Sequence, residues 1–419
     1  MLYERWRAIV SERRGDEALR DAETGRRMTF GELDAAVESG RDDGEGIAFI
    51  HGDDPEFVVK LVRAWKAGRP VCPLEPGQAQ PEIPMPPAGC AHLKLTSGST
   101  GRPRMVAFRE EQLAADPDNI VATMGLRPEW PNLGVVSISH SYGFSNLALP
   151  LLLHGIPLIR VAAPLPEMVR RAAEGHEGVT LAAVPAMWRA WSEAGSIPKN
   201  TCLAISAGAP LSLALERTVH EREGLKIHNF YGSSECGGIA FDASLEPRET
   251  ESLPGSPMNG VELAIGENGC LEVRGASVGE GYWPEAAPGL GGGVFRSADL
   301  AEFRKGQVHL LGRMADVINV AGRKLSPETV ERELARHPGV AACVVFGVPA
   351  AEPQRVDDIV ACVEVRDAVT MGELRAYLLE RLPGWQVPRH WRAVTSLTLN
   401  PLGKVSRAEW RRRYLEREW

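Results

Sequence analysis

The chain has 419 residues, 44% of them hydrophobic, with 55 acidic residues against 47 Lys and Arg and a formal net charge of −8. That is an ordinary globular composition, long enough for two or three domains each with its own core. The acidic balance and the lack of any long Lys/Arg run exclude nonspecific nucleic-acid binding, which needs a basic footprint.

The opening "MLYERWRAIVSERR" is charged throughout and lacks the apolar core of a signal peptide. The most apolar run, "NLALPLLLHGIPLI", is too short and broken to span a bilayer, so a cytoplasmic protein with no membrane segment is expected. Thr29 and Glu32 form a T-x-x-E capping box at the start of a helix. The runs "GIAFI" and "RPVCPL" flank a helical "DPEFVVKLVRAWKAG", which is strand–helix–strand patterning. A Pro-rich linker, "PGQAQPEIPMPPAG", follows.

Next comes "KLTSGSTGRPRMV", Lys94 to Val106. Backbone N–H groups of such a Gly- and Ser-rich turn can converge on an anion while the hydroxyls donate to phosphate oxygens. Gly98 and Gly101 fail the six-residue spacing of GxxxxGK[ST], which excludes a Walker A loop. Beyond it, "GVVSISH", "IPLIRVA", "VTLAAVPA", "CLAISAG" and "LKIHNFYG" are apolar runs separated by helical or turn-like stretches. Alternation of this kind predicts a mainly parallel sheet with ligands gathered at the carboxyl ends of the strands, where the loops SAGAP and YGSSE fall.

From about Gly255 to Arg304 the pattern becomes β- and Gly-rich, predicting a smaller, more antiparallel subdomain. Beyond Arg313 a small α+β unit is expected. Ser326 and Pro327 read as N-cap and N1 of a helix, "AACVVFGV" and "IVACVEV" as strands, and Thr370 to Glu373 as a second capping box. The seven cysteines (Cys72, Cys90, Cys202, Cys236, Cys270, Cys343, Cys362) include no Cys-x-x-Cys pair, so reduced and mostly buried thiols are expected.

Taken together these motifs resemble the adenylate-forming ANL superfamily of acyl-CoA synthetases, carrier-domain adenylation domains and luciferases, in the family's order and over nearly the whole chain. "LTSGSTGRPR" resembles its phosphate loop, "SAGAPL" its adenine-side loop, "YGSSECGG" its magnesium and α-phosphate motif, and "SADLAEF" its ribose motif. "GRMADVINVAGRKLSPETVE" resembles the interdomain hinge and the loop after it, and "NPLGKVSR" the C-terminal lysine loop. The resemblance implies an α/β fold: a large N-terminal domain (1–313) of mainly parallel sheets plus a β-rich subdomain, and a small, mobile C-terminal α+β domain (314–419) carrying the lysine loop.

The implied reaction is attack of a carboxylate on the α-phosphorus of ATP, giving acyl-AMP and pyrophosphate, then transfer of the acyl group to the thiol of CoA or of a carrier-protein phosphopantetheine. Bringing an anion to a polyanion needs cations and oriented donors more than a covalent nucleophile. By resemblance Thr96, Ser97, Gly98, Ser99, Thr100 and Gly101 hold the β- and γ-phosphates, with Arg104 nearby where the family more often has Lys. Tyr231 and Gly232 lie at the adenine with Gly208, Ala209 and Pro210. Ser234 contacts the α-phosphate where Thr is commoner, and Glu235 holds Mg²⁺, a hard cation suited to carboxylate oxygen. Asp299 and Arg313 reach the ribose, with a structural salt bridge as the rival reading of that pair. His140 stands beside the substrate carboxylate, Lys404 bridges that carboxylate and the α-phosphate, Gly322 allows close approach of the pantetheine arm in the second step, and Lys324 contacts phosphate.

The segment "SHSYGFSN" lacks the aspartate that amino-acid-activating relatives use, so the acid is expected to be acyl or aryl and not an α-amino acid. Tyr142, Trp188 and Gly237 are candidate pocket-lining residues, each with core packing as its alternative. Two departures stand out. The strand–helix region usual before the phosphate loop is reduced to the Pro-rich stretch, which would open an edge of the sheet, expose a homodimer surface or shift the substrate entrance, and Ala315 occupies a hinge position where relatives commonly place Asp or Lys. Two rivals remain at this stage: a nonenzymatic adenylate- or acyl-binding relative, and a serine hydrolase built on "GASVG". In the latter, Ser277 is followed by "EGYWPE" and not by the helix a nucleophile elbow requires.

Overall fold

Leu2–Arg13 is a helix, and its buried Leu2, Trp6 and Val10 recur every four residues along one stripe. The charge that dominates this segment's sequence lies on the other faces. The computed structural model describes the whole chain except Arg41, Asp43, 97–103, Pro353, 367–368, 398–404 and Trp419. Helix Phe30–Ser39 begins with the expected capping box: Thr29 Oγ1 accepts from Glu32 N at 3.1 Å, and the Glu32 carboxylate accepts from Thr29 N at 2.7 Å. Helix Phe57–Lys66 connects the parallel strands Ala48–His51 and Val71–Leu74, as the patterning predicts.

Two sheets form the larger part. One has nine strands in the order Ser256–Pro257, Gly237–Phe241, Ile227–Ser233, Thr201–Ser206, Val179–Ala183, Asn132–Gly134, Leu158–Arg160, Glu17–Asp21, Arg27–Thr29. It is parallel from Ile227–Ser233 through Glu17–Asp21 and antiparallel at both ends. The other has five strands in the order Gly281–Trp283, Arg104–Phe108, His92–Thr96, Val71–Leu74, Ala48–His51. Its parallel partners Val71–Leu74 and His92–Thr96 are joined through the Pro-rich run without the helix such a crossover usually contains.

One expected strand is mostly absent. Of "GVVSISH" only Gly134 belongs to a strand. Local side-chain bonding takes over from the ladder there: the Ser137 and Ser139 hydroxyls share a hydrogen bond at 2.8 Å. The apolar run after it, Leu147 to Leu153, goes into the core with Trp6, Phe30 and Leu61. No helix among the described residues is long and apolar enough to cross a membrane.

The chain divides into two compact units, Met1–Ala264 with Glu272–Ser297, and Ile265–Leu271 with Ala298–Trp419. In the second, Gln307–Arg313 pairs antiparallel with the end of strand Val294–Arg304. The strands Val340–Pro349, Asp357–Val365 and His390–Val394 form a sheet. Val345 turns to one face of it with Val330, Leu334 and Leu374, and Val344 and Phe346 turn to the other with Trp410. Thr370 and Glu373 make the second expected capping box. Helix Pro327–Ala335 has Pro at its first position as expected, but Ser326 does not cap it, because Ser326 Oγ donates to Leu311 O at 2.5 Å.

Candidate active site

Ser97, Gly98, Ser99, Thr100 and Gly101 lie outside the described residues. Their feet do not. Thr96 and Arg104 are opposite one another in the antiparallel pair of strands, and Thr96 Oγ1 donates to Arg104 O at 3.0 Å. The strand Gly281–Trp283 pairs along the outer side of Arg104–Phe108 and sets Tyr282 opposite Val106. There the Arg104 guanidinium lies 5.2 Å from the centre of the Tyr282 ring, a cation–π contact. The Tyr282 hydroxyl donates to Glu235 Oε1 at 3.2 Å. Burial, and then the Glu235 charge, push the Tyr282 phenol well above its ordinary range, so it remains a donor at neutral pH.

Glu235 sits in the turn after strand Ile227–Ser233, held by its backbone. Its N–H donates to Ser233 Oγ at 3.3 Å, and its carbonyl accepts from Gly279 N at 2.9 Å. Next to it, Ser277 Oγ donates to Cys236 O at 2.9 Å. Ser277 is 1% exposed and no helix follows it, so "GASVG" supports the Glu235 turn and is not a nucleophile elbow. No cluster of three or more Asp, Glu, His or Cys suited to a metal occurs among the described residues. The Glu235 carboxylate fits a Mg²⁺ ion that takes its other ligands from phosphate oxygens and water.

On the other side of this turn the Ser234 and Ser141 hydroxyls share a hydrogen bond at 2.8 Å. Ser141 opens the short helical turn Ser141–Gly143, capped by His140, whose Nδ1 accepts from Tyr142 N at 3.3 Å. Tyr142 donates to Ala183 O at 3.4 Å, and its ring centre is 6.0 Å from that of Phe230. Gly208, Ala209 and Pro210 follow strand Thr201–Ser206, and Tyr231 and Gly232 lie near the end of its parallel neighbour Ile227–Ser233. Both loops thus sit at the carboxyl edge of the sheet, the place a parallel sheet offers to ligands. Trp188 belongs to the core: it is fully buried, donates to Ile205 O at 3.0 Å and meets Trp191 edge-on.

In the second unit Asp299 and Arg313 face each other across their strands, with Nε 3.2 Å from Oδ1. Ala315 is exposed in the turn Met314–Asp316. Gly322 and Ala321 form the exposed two-residue turn between strands Ile318–Val320 and Arg323–Leu325, and Lys324 is exposed on the latter. Lys404 lies outside the described residues.

Sequence reasoning left Tyr282, Lys94 and Asp116 without a role. Tyr282 stands in "GEGYW", whose strand character alone says nothing of Glu235, 47 residues away. Lys94 carries a signal, a charged residue inside a short apolar strand, whereas nothing local marks Asp116.

Two family models match the chain, the AMP-binding enzyme over residues 78–283 and the AMP-binding enzyme C-terminal domain over residues 329–404. Feruloyl-CoA synthase of Amycolatopsis sp is 29% identical over 410 residues, covering 93% of this chain and 82% of that protein. Sulfoacetate–CoA ligase of Cupriavidus necator is 28% identical over 360 residues, covering 81% of this chain and 70% of that one. The crystal structure of ATP-bound MatB from Rhodopseudomonas palustris superposes with a TM-score of 0.87 at 19% identity, covering 99% of this chain and 98% of that one, which establishes the shared fold. The chain belongs to the AMP-binding family of adenylate-forming enzymes and is an AMP-forming acid–thiol ligase, activating a carboxylic acid with ATP for transfer to CoA.

Proposed function

We propose that the acid is an aryl or acyl carboxylic acid without an α-amino group, and that the motif residues take the roles their positions imply. The observation that carries the reading is the convergence of Arg104, Tyr282 and Glu235 on one side of the Glu235 turn with Ser234, Ser141 and His140 on the other. The feruloyl-CoA synthase relative supports an aromatic acid.

Thr96, Arg104 and the loop 97–101 bind and orient the β- and γ-phosphates, so that pyrophosphate departs in line with the attacking carboxylate. Glu235, held by Tyr282, would carry Mg²⁺, which supplies charge neutralisation of the phosphates when bound. Ser234 orients the α-phosphate. Tyr231 stacks on adenine beside Gly208, Ala209 and Pro210, and Asp299 with Arg313 binds the ribose. His140 stands at the substrate carboxylate, and Lys404 stabilises the charge shared by that carboxylate and the α-phosphate as the new C–O–P bond forms. No group in this set forms a covalent bond to the acyl chain. For the second step, Gly322 lets the thiol arm approach and Lys324 contacts phosphate, the small domain (314–419) turning about Met314 and Ala315.

Acid-dependent ATP–pyrophosphate exchange, measured with ferulate, benzoate, fatty acids and α-amino acids, tests the substrate class. Exchange with aryl or fatty acids and none with amino acids is expected; exchange with amino acids alone overturns it. A carrier-protein phosphopantetheine accepting the acyl group where CoA does not would overturn the acceptor.

A further inference from the structure

A charged pair is buried at the foot of the phosphate loop, and none of the roles above uses it. Lys94, on strand His92–Thr96, is 3% exposed, and Asp116, on helix Glu110–Met124, is 2% exposed. Lys94 Nζ lies 3.5 Å from Asp116 Oδ2 and 4.8 Å from the centre of the Phe108 ring. It also donates to Ser145 Oγ at 3.3 Å, and that hydroxyl donates to Asp116 Oδ2 at 2.5 Å. Asp116 Oδ1 accepts from Gly238 N at 3.0 Å. Gly237 makes room for the carboxylate, since a Cβ there would stand 2.0 Å from Asp116 Oδ1.

A buried ion pair is a weak source of stability, because desolvation of the two charges offsets their attraction and neutral replacements are often as stable. The attachments of this pair are more informative. Lys94 is two residues before Thr96, Ser145 five after His140, and Gly238 three after Glu235. Ser145 lies in the single wide turn Phe144–Ala148, a π-helical segment of the kind often found at functional sites. Three segments of distant sequence thus meet at one carboxylate.

We infer that Lys94, Asp116 and Ser145 are positioning residues, holding the phosphate-loop foot, the His140 segment and the Glu235 turn in one register for adenylation. The inference rests on placing those three segments at the active site. A displacement of about 1 Å in any of them costs about 100-fold in rate, while ground-state binding, spread over many contacts, changes little.

The deciding variant is Lys94→Met/Asp116→Asn, in which both charges are gone and the amide oxygen can still accept from Gly238 N. Thermal unfolding and acid-dependent ATP–pyrophosphate exchange are measured on the full chain. The expected result is a melting temperature close to the parent's, kcat lowered by about 30- to 100-fold, and KM for ATP changed by less than about threefold. A double variant with kcat within about threefold of the parent overturns the inference. If the double variant does not fold, Ser145→Ala decides, because it leaves both charges and removes only their link to the Phe144–Ala148 turn. A fall of about tenfold in kcat at unchanged melting temperature supports positioning, and parental kcat overturns it. Glu235→Gln runs alongside: impaired Glu235→Gln beside a fully active double variant overturns this inference alone, and unimpaired Glu235→Gln overturns the site reading beneath it.

Discussion

Tyr282 and Glu235 illustrate how one side chain can set the working state of another. The phenol donates into the carboxylate, and burial together with the neighbouring charge keeps the phenol protonated. A hydrogen bond to a charged group is worth about 1.5–3 kcal/mol net, so removing it loosens the carboxylate without removing its charge. Tyr282→Phe is therefore expected to raise the Mg²⁺ concentration for half-maximal ATP–pyrophosphate exchange about tenfold, and Glu235→Gln to raise it further. A magnesium titration that overlays the parent's would dissociate Tyr282 from the proposed magnesium site.

His92 makes a different residue-scale statement. It is buried against the Phe144 ring, 4.4 Å between centres, and its Nδ1 has no hydrogen-bond partner among the described residues. Burial, and then Lys94, push its pKa well below the ordinary imidazole value. The folded chain thus binds fewer protons at His92 than the unfolded chain does, so stability is lost as pH falls below about 6.5 and goes on falling toward the folded-state pKa. The slope for one such group is about 1.4 kcal/mol per pH unit. Urea midpoints measured from pH 7 to pH 5 should fall in the parent and fall less steeply in His92→Leu. Parallel slopes in the two proteins would show that His92 titrates normally.

At the scale of elements, the turn joining Ile318–Val320 to Arg323–Leu325 holds both central residues at positive φ, 51° at Ala321 and 81° at Gly322. That is the twist a two-residue hairpin needs, and Asn, Asp or Gly normally supplies it. Ala321 pays a left-handed backbone cost of roughly 1–2 kcal/mol, part of which glycine's greater unfolded-state freedom would offset. Ala321→Gly should raise stability by up to about 1 kcal/mol, read from denaturant unfolding, and a loss of stability would mean that the Ala321 side chain packs usefully.

What was legible in the sequence follows from range. The Thr29/Glu32 and Thr370/Glu373 boxes close within four residues and were readable as such. Ser326 looks like a cap by the same local rule, yet its hydroxyl goes to Leu311, 15 residues away. The strands leading to the 208–210 and Glu235 loops were visible as apolar runs, whereas "GVVSISH" was not separable from them without the Ser137–Ser139 bond. Motif spacing singled out Glu235 and Ser234 as candidates. The partners that hold them, Tyr282 and Ser141, are 47 and 93 residues distant and have no local signature.

At the scale of the whole molecule, Arg407 gathers the second unit. Its guanidinium pairs with Asp316, with Glu328 at 3.0 Å and with Glu331 at 3.0 Å, and its Nε donates to Val345 O at 2.8 Å. Burial raises the Glu331 pKa against the pull of Arg407. The buried members of the two apolar clusters of this unit all lie between Ile318 and Trp410. The compact unit nevertheless also claims Ile265–Leu271 and the residues from Ala298 onward, tied by Ala301 N donating to Gly269 O at 3.0 Å.

That discontinuity bears on the turning proposed for residues 314–419. The chain passes between the compact units three times, after Ala264, Leu271 and Ser297, and three crossing strands resist being wound about one another. After Arg313 only one strand continues, and the apolar clusters beyond it draw their buried members from residues downstream of that point. A fragment of residues 314–419 expressed alone should therefore unfold cooperatively in urea, and a broad, featureless transition would count against it. By the same argument the bond between Arg313 and Met314 is the place to nick the chain: a cut there keeps Ile265–Leu271 on one piece with Ala301, whose N–H donates to Gly269 O, whereas a cut after Ser297 parts them.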